Sequence, residues 1–250
     1  MGLFDKLKKE TKENSKMERE NIFYVDYPIN KSNWFQVYSA CLGKAMAIQD
    51  ACGQQVVKGQ NWSMNFEKGV ISFGKTEYPV QFLGSEADSN DSWQWGFKNV
   101  NGFDESLLKL VNETKKTGEK WGLEPLTTPA FSLSDTLNGH NLSIVACGIS
   151  KENYCYYRMP HAKGAAFVAF SQVPESVFQP VDLFKFAEIT GECLQQFSID
   201  HKIFVESFLM WNGTSYEWIG NSIIAHFSKD LVIGFEQVEE FWRVSELKTL

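Results

Sequence analysis

The chain has 250 residues, of which 43% are hydrophobic and 22% charged, a composition that excludes the disordered and fibrous classes. Its net charge is −7, which argues against nucleic acid as the partner, because phosphate binding needs clustered Lys and Arg. No run reaches the ~18 apolar residues of a membrane span, so no transmembrane segment is expected.

Residues 1–20 read as a charged leader. Eleven of them are charged, and only Leu3, Phe4, Leu7 and Met17 are sizeable and apolar. Too little apolar surface is present to offset the entropy of ordering such a segment. The leader is therefore expected to be solvated or disordered and dispensable for folding. The second reading is a small membrane-surface foot formed by Leu3, Phe4 and Leu7 beside lysines.

From Asn33 the apolar positions recur every three or four residues: Trp34, Tyr38, Cys41, Leu42, Ala45, Ile48, Cys52 and Val56. That period predicts a helix to about Val56, with Ser32 or Asn33 as its cap. The period then becomes two. Trp62, Met64 and Phe66 define one strand face, and strands around Val70–Phe73 and Val80–Leu83 follow. Ser85 to Ser92 is expected to be a loop whose acids, Glu86, Asp88 and Asp91, are solvated. Trp93, Trp95 and Phe97 then share a strand face, either as core or as an exposed binding platform.

A second helix is predicted from Glu105 to Trp121, ending at Gly122. The segment 124–132, with Pro125 and Pro129, is the candidate internal boundary of an otherwise single unit spanning 21–250. A short helix over Leu142–Ile149, strands over Tyr154–Met159 and Ala165–Phe170, and helices begun by Asp182 and Asp200 come next. Four strands end the chain. The fold class is α+β: antiparallel sheets with packed helices. A faint echo between Phe66–Ile71 and Phe227–Val232 raises two helix-plus-meander halves as a variant of it.

Several runs keep the order of a known family. They are Trp62-Ser63-Met64-Asn65-Phe66, Tyr78-Pro79-Val80-Gln81-Phe82-Leu83-Gly84-Ser85, Trp93-Gln94-Trp95-Gly96-Phe97, Gly139-His140-Asn141-Leu142 and Tyr156-Tyr157-Arg158-Met159-Pro160. Over roughly residues 30 to 210 the chain resembles the bacterial domain of unknown function 6882. The resemblance implies a bacterial, cytoplasmic context and brings no activity and no functional residues.

The residues themselves offer one polar-aromatic cluster: Tyr156, Arg158 and His161, with His140 upstream. Arg158 can grip a carboxylate or phosphate through its fork of donors, or be tied to an internal acid. Strand alternation puts Tyr156 and Arg158 on one face and Tyr157 on the other. His140 is followed by Ser143 and Cys147, but no GxSxG elbow is present. Neither GxGxxG nor GxxxxGK(S/T) occurs, and the five cysteines form no CxxC pair. No cofactor and no metal is expected, and unpaired cysteines suit a reducing cytoplasm.

Two functions compete. One is a non-catalytic interaction or regulatory protein, immunity-like, whose partner is another protein. The other is an enzyme or small-ligand binder with a cleft around Arg158, His140 and His161. The candidate surface comprises Arg158, Tyr156, His161, His140, Trp93 and Trp95.

Overall fold

The computed structural model describes residues 29–239 and 241–250. The leader 1–20 lies outside them, and with it the expectations attached to that segment. Among the described residues there are five α-helices and two antiparallel sheets, so the class is α+β; the second helix, α2 (Lys109–Trp121), follows a 3-10 turn at Glu105–Leu107.

Helix α1 (Trp34–Cys52) begins where the sequence places it. Asn33 is extended, and its side chain accepts the N–H of Gln36. The helix buries Val37, Leu42, Ala45 and Ile48, but also Ser39, Ala40 and Ala47 from other faces. A helix apolar on nearly all sides belongs inside a protein. It packs on α3 (Gly139–Gly148), α4 (Leu183–Gln196) and above all α5 (His201–Trp211). The closest approach to α5 is at Gly43, where a Cβ would lie 2.6 Å from Cβ and Cγ of Phe208. Only glycine lets the two backbones come this near.

The first sheet is built on β3 (Thr76–Ala87). Its first half pairs β2 (Val70–Phe73), which pairs β1 (Trp62–Asn65). Its second half is flanked by β4 (Ser92–Trp95) and β7 (Gly164–Phe170). β5 (Ala130–Ser132) adds to β4, and β6 (Cys155–His161) adds to β7. The expected loop from Ser85 is thus corrected: β3 continues through Ala87, because β4 and β7 supply ladder partners on both sides of Glu86. The segment 124–132 contributes β5 to the same sheet, and Trp95 Nε1 donates to the Pro125 carbonyl at 2.8 Å. β5 is the edge strand next to β4. Phe97 leaves the strand in a 3-10 turn, Gly96–Lys98, and stacks on Trp95 at 5.9 Å.

β1 ends the sheet, so the face carrying Trp62 and Met64 is only half-buried. Trp62 meets Tyr157 edge-on at 6.0 Å. Full burial would make Trp62→Ala cost about 3–5 kcal/mol; half-burial on an edge strand lowers the expectation to about 1–2 kcal/mol. A urea titration of the variant reads this directly, and a loss above that range would put Trp62 in the core.

The second sheet is a meander, β8 (Tyr216–Ile219), β9 (Ser222–His226), β10 (Asp230–Val238) and β11 (Phe241–Thr249). α5 leads into it as α1 leads into β1–β4, and the two leading helices pack together. The sequence echo does not mark equivalent turns, however. It matches the β1–β2 hairpin to the β9–β10 hairpin, the first of one meander and the second of the other.

α5 holds the second sheet through three side chains, Lys202, Glu206 and His201. The Lys202 ammonium lies 3.8 Å from the Trp242 ring centre and 4.7 Å from that of Trp218, while Trp218 Nε1 donates to Glu206 at 2.8 Å. His201 reaches β11. Its Nδ1 accepts the Val244 N–H at 3.0 Å, occupying an outward donor on the sheet's free edge.

Candidate functional site

Glu86 organises the polar cluster. It stands on β3, opposite Trp93 on one side and Ala165 on the other. One carboxylate oxygen accepts the N–H of Gly139 at 2.7 Å, at the first residue of α3, where the helix presents unpaired N–H groups. The other lies 3.7 Å from Nε of Arg158 on β6. Glycine is required at position 139, since a Cβ there would strike the Phe167 ring and come within 2.8 Å of the carboxylate. Gly164 is required too, with φ of 145° and the Glu86 carbonyl where a Cβ would stand.

Arg158 and Tyr156 share a strand face, as alternation demands, and Tyr157 points the other way onto Phe73 at 5.1 Å. The backbone of Tyr156 is pinned by Gln49 of α1, whose amide accepts from its N–H at 3.0 Å and donates to its carbonyl at 2.9 Å. The Tyr156 hydroxyl lies 3.2 Å from Nδ1 of His140, which also meets the Phe167 ring edge-on at 5.4 Å. Desolvation against these rings holds the His140 pKa below its ordinary value; Glu86 opposes this and Arg158 adds to it. Burial pushes the Tyr156 phenol well above its usual range, so it stays protonated.

Three of the six expected residues therefore meet: His140, Tyr156 and Arg158. His161 sits exposed at the far end of β6, and its Nδ1 accepts the Lys163 N–H at 3.2 Å within the hairpin. Trp93 and Trp95 are 0% and 1% exposed. As a binding platform they are corrected to core: their rings meet at 5.2 Å, and Trp93 lies against Phe167 behind the site. Glu86 is the residue that sequence reasoning set aside. No local signal marks it, because the polar run Ser85 to Ser92 reads as a loop until β4 and β7 are seen to pair on both sides of it.

The nucleophiles near His140 in sequence are turned inward. Ser143 Oγ donates to the Gly139 carbonyl at 2.6 Å and is fully buried. Burial pushes the Cys147 thiol up to about 12. Among the described residues no three His, Cys, Asp or Glu side chains converge on a common point that would hold a metal, and no helix is long and apolar enough to cross a membrane.

No curated protein and no solved structure matches this chain. One family does, over residues 36–173, a span that holds α1 from its third residue, the whole first sheet and every residue of the Glu86 cluster but stops short of the 210 expected from the motifs. With more than half its length matched, the chain belongs to the Family of unknown function (DUF6882).

Proposed function

We propose that this chain is a non-catalytic interaction protein of a reducing, cytoplasmic compartment, and that it offers Arg158 to an acidic group on a protein partner. The observation that carries the reading is the anchoring of Arg158. Glu86 is fixed to the helix by Gly139 and lies behind Nε, while the Arg158 side chain is 39% exposed. Among the described residues the rest of its donor fork has no hydrogen-bond partner. A guanidinium held from behind and open in front is arranged to receive a carboxylate in two parallel bonds. All five cysteines are buried free thiols, which fits a reducing setting. A regulatory, immunity-like role is the finer form of this proposal.

Catalysis is the second reading, and the His140–Tyr156 contact is what favours it. Against it stand the inward-turned Ser143 and Cys147, the raised Tyr156 phenol and the engaged Glu86 carboxylate.

Arg158→Lys separates the possibilities, because it keeps the charge and loses the fork. The probe is a fluorescent peptide rich in Glu, with a matched Gln peptide as control. The variant is expected to bind it about tenfold more weakly, equivalent to ~1.4 kcal/mol, with the urea midpoint nearly unchanged. A variant that loses stability but binds the peptide as the parent does leaves Arg158 a structural residue tied to Glu86.

A further inference from the structure

Among the described residues β11 is the longest strand at a sheet margin, with β10 on one side and no strand on the other. Two hydrogen bonds fix the direction of its groups. The Leu250 N–H donates inward to the Asp230 carbonyl at 3.0 Å. By alternation Lys248 and Glu246 also face β10, and the N–H and carbonyl of Thr249 and Leu247 face outward. Nearer the start of the strand, Val244 gives its outward N–H to His201 at 3.0 Å. The parity changes between these two points because the ladder shifts between Gly234 and Phe235, with Ser245 as the extra residue.

The side chains alternate in the same way. Glu246 and Lys248 stand opposite Gly234 and Val232 on one face, and Leu247 stands opposite Ile233 on the other. All three are exposed, and among the described residues neither charge has an ion-pair partner. Leu247 is joined by Val238, Phe241 and Leu250 as exposed large apolar side chains, so uncovered apolar surface gathers on this hairpin.

Charges on an edge strand ordinarily keep other strands away. Here the signs reverse about Leu247, which makes the strand complementary to itself. When two copies pair antiparallel with Leu247 opposite Leu247, Glu246 of each copy faces Lys248 of the other, and the outward groups of the two leucines meet as a hydrogen-bonded pair. Moving the axis one residue either way sets Glu246 against Glu246 or Lys248 against Lys248, and brings backbone groups that already serve β10 onto the axis. The His201 ring on Val244 ends the ladder beyond Ser245.

We propose that β11 is a docking edge for a second copy of this chain, paired antiparallel about a two-fold axis at Leu247. The contact is short, so the dimer is weak, with a dissociation constant on the order of ten micromolar. Arg158 lies on the other sheet and takes no part.

Sedimentation equilibrium of the full chain, over concentrations on both sides of that constant, tests this. The parent is expected to pass from monomer to dimer. Glu246→Lys and Lys248→Glu each set like charges face to face and should weaken association at least about tenfold. Mixed in equal amounts, the two variants should form a mixed dimer about as tightly as the parent, because every charge again meets its opposite. Leu247→Pro removes an outward N–H and no bond to β10, so it should abolish association with the urea midpoint near the parent's. A parent that stays monomeric throughout overturns the proposal. So does a mixture that associates no better than either charge variant alone, or a dimer that none of the variants weakens.

Discussion

Phe208→Ala is expected to cost about 3–5 kcal/mol, the range for removing a fully buried aromatic ring. Phe208 is 1% exposed and stacks on Phe186 at 4.4 Å, with Phe204 and Trp211 each at 6.0 Å. Its stem lies on Gly43 of α1, so the cavity would open where the helix of the first meander meets the helix of the second. The surrounding rings are rigid and close-packed, which limits collapse into the space. The denaturant midpoint in urea measures the loss. A companion experiment tests the joint from the other side. Gly43→Ala adds a Cβ where Phe208 leaves no room, and in the Phe208→Ala background part of that collision disappears with Cγ. The two changes should therefore be non-additive by more than about 0.5 kcal/mol. Strict additivity would mean that the helices separate freely, and that the close approach at Gly43 contributes nothing to stability.

Acidification is expected to weaken the chain through His201. The ring is 6% exposed. Its Nδ1 faces the Val244 N–H at 3.0 Å and its Nε2 faces Nη1 of Arg243 at 2.9 Å. A neutral imidazole has one lone pair and here meets two donors; a second ring proton would leave both contacts donor against donor. Desolvation first, and then the Arg243 charge, lowers the pKa from 6.5 to about 4, with Asp200 opposing. The depressed value means that the folded state binds fewer protons than the unfolded chain. Stability from this group is full above 6.5 and is lost as pH falls toward 4. At 1.36 kcal/mol per pH unit the span amounts to roughly 3 kcal/mol. His201→Gln retains an acceptor for Val244 and does not titrate. Between pH 7 and pH 4 the parent should lose about that much more stability than the variant. Parallel pH profiles would show that another group governs the acid limb.

Helix positions were legible because they rest on local chemistry. Asn33, Asp182 and Asp200 each cap the helix that follows them, and Gly122 ends one with φ of 65°. The alternation on β6 likewise placed Tyr156 and Arg158 together. Glu86 was not legible, since its partners lie 53 and 72 residues away, on Gly139 and Arg158. Nor was the burial of Trp93 and Trp95. A strand face of aromatics reads the same whether solvent or Phe167 lies against it, and only the pairing of β3 with β7 decides between them.

The packing of α1 on α5 has a consequence for synthesis. α1 is complete at Cys52, and the helix that covers it ends at Trp211, so about 160 residues separate the two halves of one contact. At 5–20 residues per second, α1 waits on the order of 8–30 s after leaving the ribosome before its cover exists. During that interval an apolar helix, with Gly43 on the bare side, can settle only on the partial shell that α3 and β6 supply. Translation speed past residue 173 thus sets how long the nascent chain is open to aggregation. Pausing there should cost yield without altering the finished molecule.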